Sequence, residues 1–206
     1  MKKQGLFITF EGSEGSGKST QADLVYKYLK AKKKKVLHIR EPGGVVISEA
    51  IRKILLDVKN KNMSDISETL LYMAARAQLV HEVIVPALKK GTIVLCDRFL
   101  DSTVVYQGYG NGVDIDFIKC VGAQVTQRIS PDLTLIFDID TRQGLSRNKT
   151  AKDRIELRSI QYHNRVRRGY WQLARQEPKR VKLIKVNGTK EEVQKIVRRW
   201  VDKVVR

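Results

Sequence analysis

The run Gly12-Ser13-Glu14-Gly15-Ser16-Gly17-Lys18-Ser19 constrains this chain more than any other stretch. It matches GxxxxGK[ST] in full and follows Leu6-Phe7-Ile8-Thr9-Phe10, a β-branched and aromatic run that reads as a buried strand. Behind it, Ala22, Val25, Tyr26 and Leu29 fall at helical spacing, so a helix starts near Lys18. Strand, glycine loop and helix in that order make a phosphate cradle. The glycines let the backbone turn back so that successive N–H groups point inward, and the helix start adds partial positive charge. Lys18 is then placed for the β- and γ-phosphates and the Ser19 hydroxyl for Mg²⁺. Gly12 to Ser19, with Thr20 behind them, are expected to bind ATP or GTP; the alternative is a glycine turn with no ligand.

The rest of the chain alternates strands with helices. Val36-Leu37-His38-Ile39 predicts a second strand, stopped by Pro42-Gly43-Gly44, and a helical pattern returns between Val45 and Asp57. Ser64 and Asp65 cap a long helix running toward Leu88, with Ile66, Leu70, Met73, Ala77, Val80 and Ile84 on one face and Pro86 bending or shortening it. Thr92 to Cys96, Leu133 to Phe137 and Val181 to Val186 are three further strands, and Lys190 to Val205 is a closing helix. Near-continuous Val/Ile/Leu strands separated by helices predict a parallel sheet covered on both faces. Without an internal repeat or a Gly/Pro/Ser-rich linker, residues 1–206 are expected to form one α/β domain.

Charge narrows the partners without choosing among them. Forty Lys and Arg against 22 Asp and Glu give a net +18, which suits nucleic acid, an anionic membrane surface or small polyphosphates, while a run such as Lys32 to Lys35 also reads as a solvated face. The basic residues are dispersed and no nucleic-acid motif interleaves them with aromatics, so no specific nucleic-acid partner is expected. Cys96 and Cys120 make neither a disulfide scaffold nor a zinc site, and His38, His81 and His163 stand isolated. No apolar run approaches the ~18 residues that span a bilayer, and the N-terminal apolar stretch is too short for a signal peptide. A cytoplasmic protein without a membrane partner is expected.

Several further motifs fall just past predicted strands. Arg40-Glu41-Pro42-Gly43-Gly44 follows the second and Asp97-Arg98-Phe99 ends the third, leading into Ser102 to Gly108. Tyr72-Met73-Ala74-Ala75-Arg76 lies on the long helix, Pro131-Asp132-Leu133 opens the fourth strand, and Asp153-Arg154-Ile155-Glu156 comes after it. In an open parallel sheet ligands sit beyond the carboxyl ends of the strands, so Gly12, Arg40, Asp97 and Arg98 converge on one crevice. The cradle holds one polyphosphate there, and arginines await a second anion. In this order and spacing, over about Phe7 to Val204, the chain resembles the bacterial thymidylate kinases, a family of P-loop nucleoside-monophosphate kinases.

That resemblance implies a three-layer α/β/α P-loop kinase fold with a five-stranded sheet, ATP as co-substrate, Mg²⁺ as cofactor, and phosphorylation of dTMP to dTDP by direct in-line transfer. It implies that Arg98 grips the acceptor 5′-phosphate with help from Arg40, for which a salt bridge to Glu41 is the rival reading. Asp97 would act with Ser19 on the metal or its water shell, and Glu14 would accept from the sugar 3′-hydroxyl or else stabilise its loop. Arg76 would bond the thymine carbonyl, Tyr72 would face the base or belong to the core, Thr103 would lie at the base edge, Tyr106 would crowd the ribose 2′ position, and Gln107 would complete the substrate pocket. A lid is implied at about residues 142–154. Because Gly15 leaves the cradle only Lys18, the lid would supply the catalytic cation: Arg147 first, then Arg154, with Lys149 and Lys152 beside them. Val45 and Ser48 stand where the family commonly has Thr and Gly, which alters a loop without abolishing activity. Apolar residues on further sides of the long helix, Leu71 and Leu79, together with the family's habit of pairing, imply a homodimer. The rival activities are a kinase for another deoxynucleoside monophosphate such as dUMP and, more remotely, a nucleic-acid-dependent ATPase.

Overall fold

The computed structural model describes residues 4–147 and 153–205. Five strands, β1 (Phe7–Gly12), β2 (Val36–Arg40), β3 (Ile93–Asp97), β4 (Leu133–Asp138) and β5 (Val181–Lys185), form one sheet in the order β2-β3-β1-β4-β5. Every pairing is parallel. The register sets Asp97 beside both Phe10 and Arg40, and Gly12 beside Phe137, so the carboxyl ends of the central strands finish together. The α/β/α expectation holds, with β1 buried along its whole length.

Period-two alternation divides the core. Ile8, Phe10, Leu95, Leu135 and Phe137 face α1 (Lys18–Ala31), which buries Ala22, Val25 and Leu29, and the C-terminal helix Lys190–Val204, which buries Val193, Val197 and Val201. Thr189 and Glu192 close a capping box at the start of that helix. On the opposite face, Phe7, Val94 and Cys96 meet Leu79, Val80, Ile84 and Leu88.

The helix capped by Ser64 is continuous in course but not in type. Helix α2 (Val46–Leu56) precedes it; α3 (Asp65–Leu79) then runs through a π-helical stretch, Val80–Ile84, into α4 (Val85–Lys89). Pro86, which has no N–H to give to the preceding turn, sits at the start of α4, and the widened turn lies directly before it. The expected apolar face is split by burial. Met73, Val80 and Ile84 lie in the core, whereas Ile66 and Leu70 are 48% and 45% exposed, because the first half of α3 turns Glu68 and Thr69 inward instead, both fully buried. Leu79, read as part of a partner-facing side, is fully buried in the core instead.

Four elements were given no bounds from the sequence. They are α5 (Leu100–Thr103) with its π-helical continuation Val104–Gly110, α6 (Ile115–Val125), α7 (Thr141–Arg147) and α8 (Ile160–Gln176); the C-terminal helix is α9. Helix α8 is rich in arginine, which hides its stripe, yet Tyr162, Val166, Tyr170 and Leu173 recur at helical spacing and pack on Val105 and Tyr106. Replacing Leu95, fully buried on β3, with Ala is expected to cost about 3 kcal/mol in urea unfolding. The same change at half-exposed Leu183 on β5 is expected to cost under about 1 kcal/mol.

Candidate active site

The cradle forms as its spacing requires. Gly12 adopts a φ of 145° and a Cβ there would come within 2.6 Å of the Phe137 carbonyl oxygen, so no side chain fits where β1 turns out of the sheet. Gly15 is the second tight point: a Cβ would lie 1.9 Å from the Gly144 carbonyl oxygen, and one on Gly144 would lie 2.4 Å from that of Glu14. Helix α7 therefore rests backbone on backbone against the loop. Arg147, one turn beyond Gly144, comes 3.5 Å from the Gly15 carbonyl oxygen through its guanidinium. Gly17 precedes α1 in the left-handed conformation without a side-chain cap, which leaves the first-turn N–H groups directed at the loop. Thr20 is exposed in that first turn. The Ser19 hydroxyl donates to Asp97 Oδ2, while Asp97 Oδ1 is buried with no protein partner. A hydroxyl and a carboxylate with an unused lone pair suit Mg²⁺, which takes few protein oxygens and keeps waters and substrate phosphates.

Arg98 is the hub beside the cradle. Its backbone takes a φ of 70°, unusual for a residue with a side chain, and its N–H donates to Phe10 O at 2.9 Å. Its guanidinium donates to Glu14 Oε1 at 2.5 Å and Gly12 O at 3.1 Å, and lies 4.9 Å from the centre of the Tyr106 ring. The Tyr106 hydroxyl donates to the same Glu14 oxygen at 2.9 Å, and Lys18 Nζ is 4.0 Å from the other. Burial pushes the Glu14 carboxyl up, but the Arg98 and Lys18 charges and the Tyr106 hydroxyl overcome it and hold the group down at about 2.

The far end of the same cleft, a volume of about 230 Å³, is built from the motif after β2 and from α3. Arg76 is buried, with Nε donating to Glu41 at 2.8 Å and a terminal nitrogen donating to Phe99 O at 3.1 Å. Burial lifts the Glu41 carboxyl to about 6 despite Arg76, and its second oxygen, like the Thr103 hydroxyl, is buried without a partner. Arg40 pairs with Glu49 at 2.9 Å, not with Glu41. Glu49 also accepts from the Gly44 N–H at 2.8 Å and so closes the loop after β2. Ser48 is buried and donates to Ala75 O at 2.7 Å, which ties α2 to α3 where a glycine would make no such bond. Val45 precedes α2 with no side-chain cap. Tyr72 is half-buried and borders the cleft rather than filling the core.

One cleft thus gathers Glu14, Lys18, Ser19, Arg40, Tyr72, Arg76, Asp97, Arg98, Thr103, Tyr106 and Gln107. Gln107 gives its amide to Glu68 at 2.9 Å. Arg154 is drawn away from it. The guanidinium is buried, bonded to Glu68 at 2.6 Å and to Leu55 O at 2.9 Å, whereas its neighbours Asp153, Ile155 and Glu156 line the cleft. Lys149 and Lys152 lie outside the described residues. Arg52 and Glu68 are among the contributors not read from sequence. Arg52 lines the cleft and donates to Pro42 O at 2.9 Å, and its position four residues after Ser48, on the same helical face, was the available signal. Glu68 is fully buried and also accepts from Asn111 at 3.1 Å and Arg158 at 2.8 Å, a node assembled from distant segments with no local signature.

The two shifted carboxyls make opposite contributions across pH. Glu14 is held below its unfolded value, so its stabilisation is present above about pH 4.5 and is lost as pH falls toward 2. Glu41 is held above its unfolded value, so stability is greatest below about pH 4.5 and declines as pH rises through about 6. Urea unfolding of wild type and Glu41→Gln is expected to show the difference between them shifting by on the order of 2 kcal/mol in favour of the variant from pH 4.5 to 7.

Among the described residues no helix is long and apolar enough to cross a membrane. The thymidylate kinase family profile matches residues 10–197. A thymidylate kinase of Symbiobacterium thermophilum is 45% identical over 201 residues, covering 97% of this chain and 94% of its own. One from Halothermothrix orenii is 47% identical over 195 residues, covering 92% and 93%. The crystal structure of thymidylate kinase from Ehrlichia chaffeensis superposes with a TM-score of 0.80 at 33% identity, covering 96% of this chain and 98% of that one. With a profile and relatives that span nearly its whole length, the chain belongs to the thymidylate kinase family.

Proposed function

We propose that this cleft transfers the γ-phosphoryl group of ATP to thymidylate, with the cradle holding the donor and the Arg98 end holding the acceptor. The observation that carries this reading is the continuity of the cleft from Lys18 and Ser19 to Arg98, Arg76 and Thr103. The attacking phosphate oxygen is already anionic, so no general base is required. The obstacle is repulsion between two polyanions, and fixed cations that hold both in line remove it.

In this reading the cradle N–H groups of Gly12 to Gly17, Lys18 and the first turn with Thr20 hold the ATP phosphates. The incoming 5′-phosphate competes with Glu14 for Arg98, and Arg40 assists. Glu14, still held by Tyr106 and Lys18, accepts from the sugar 3′-hydroxyl, and Tyr106 crowds the 2′ position. Arg76, kept flat by Glu41 and the Phe99 carbonyl, meets the thymine carbonyl; Thr103 lies at the base edge and Tyr72 against its face, with Gln107 behind. Ser19 and Asp97 would hold Mg²⁺, which would supply charge neutralisation for the phosphates. Arg147 supplies the cation over the cradle, and Arg154 anchors the lid's return against Glu68. Residues 1–206 act as one kinase domain, working in the cytoplasm, where the two free cysteines remain reduced. Half-exposed Ile54 on α2 and Ile66 and Leu70 on α3 support a homodimer through that face.

A coupled assay with ATP, Mg²⁺ and each monophosphate in turn tests the reading. Turnover with dTMP is expected, and turnover that requires DNA but not dTMP overturns it. A pocket that discriminates by one methyl group is expected to favour dTMP over dUMP by roughly 10- to 200-fold. Arg98→Ala is expected to lower kcat/KM for dTMP by about 10²- to 10³-fold while the KM for ATP moves far less. Arg147→Ala is expected to lower kcat, and Arg147→Lys to recover little of it, because a point charge does not replace a guanidinium fork. Sedimentation at micromolar concentration is expected to show a dimer.

A further inference from the structure

Glu11 has no part in the transfer described above, yet its side chain is fully buried at the end of β1, one residue before the cradle. One carboxylate oxygen accepts the Phe99 N–H at 2.8 Å. The other accepts the Ser102 hydroxyl at 2.5 Å and the Tyr170 hydroxyl at 3.0 Å. Donors from the turn after β3, from α5 and from α8 thus converge on a single strand-end carboxylate.

Two consequences reach Arg98. Its φ of 70° is a conformation that a residue with a Cβ keeps only where its surroundings over-determine it. Consecutive residues of β1 supply that constraint, since Phe10 O holds the Arg98 N–H at 2.9 Å and Glu11 holds the next amide, Phe99. The second consequence concerns the guanidinium, which lies 3.2 Å from Ser102 Oγ and 3.4 Å from the Tyr170 hydroxyl oxygen. A hydroxyl that gives its proton to Glu11 turns its lone pairs elsewhere, here onto Arg98. Asp101, the neighbouring buried carboxylate, is committed to Arg180 at 2.7 Å and does not share this task.

We propose that Glu11 is a positioning residue for the acceptor site: it fixes the backbone at Arg98 and orients the Ser102 and Tyr170 hydroxyls that receive its guanidinium. The inference rests on the reading in which Arg98 grips the acceptor phosphate.

The test is a double-mutant cycle read with both substrates. A carboxamide offers one acceptor oxygen and brings two unwanted N–H donors, so Glu11→Gln breaks the arrangement with little change of shape. It is expected to raise the KM for dTMP and lower kcat, reducing kcat/KM for dTMP by about tenfold, as for the loss of one hydrogen bond to a charged group. The KM for ATP is expected to stay within about twofold. In an Arg98→Ala background, adding Glu11→Gln is expected to change kcat/KM for dTMP by less than about twofold. Equal losses for ATP and dTMP, or fully additive effects, overturn the inference while leaving the grip by Arg98 intact. If Arg98→Ala leaves dTMP use unchanged, the grip itself fails and the inference falls with it. Should Glu11→Gln fail to fold by circular dichroism, Tyr170→Phe and Ser102→Ala, each removing one hydroxyl from Glu11, carry the same expectation through the same cycle.

Discussion

The parallel hydrogen bonding of β3 against both β1 and β2 sets Phe10, Asp97 and Arg40 in one row, and the cleft depends on that row. Three chain segments that leave the sheet at the same level cannot avoid meeting. One becomes the phosphate cradle, one the Arg98 turn, and one the loop that carries Glu41 toward Arg76. Had the strands been staggered by a residue, every inward side chain would have pointed to the other face. The row is secured by ordinary apolar burial on both sides, so the cleft draws its rigidity from the core.

On that frame the protein places buried charge with little waste. Glu14 meets Arg98, Glu41 meets Arg76, and Glu68 meets Arg154 and Arg158. Such pairs add little net stability, since desolvation offsets attraction, but each fixes a guanidinium in one orientation. The free protein thereby holds its cationic groups on its own carboxylates, in a cleft whose proposed ligands carry the same kind of charge. In the proposed function a substrate phosphate would replace a carboxylate at a site that is already shaped. Neighbouring orphan groups, Asp97 Oδ1, Glu41 Oε1 and the Thr103 hydroxyl, mark where the protein alone leaves bonds unmade.

Much of this was legible from local patterns. GxxxxGKS after a strand announced the cradle, and the motifs at the strand ends announced convergence, because the ends of parallel strands share one edge. What stayed hidden depended on packing. Ile66 and Leu70 share a stripe with Met73, yet they are exposed because the start of α3 buries Glu68 and Thr69 instead. Arg154 reads as one more cation near a lid until burial couples it to Glu68. Helix α8 was masked by its arginines, whose long stems and charged heads obscure an apolar stripe that only its neighbours reveal.

The sequence by itself determined the phosphate cradle, the alternation that makes a parallel sheet, and the family to which the chain belongs. These follow from short-range rules: glycine where the backbone must turn, β-branched runs for buried strands, and fixed spacing between motif and element. Tertiary structure alone decided which of many arginines face the cleft and which are buried on carboxylates. It also decided that Gly144 meets Gly15 backbone to backbone. Those choices join residues tens of positions apart, and the energy of a buried charge depends on partners that no local window contains.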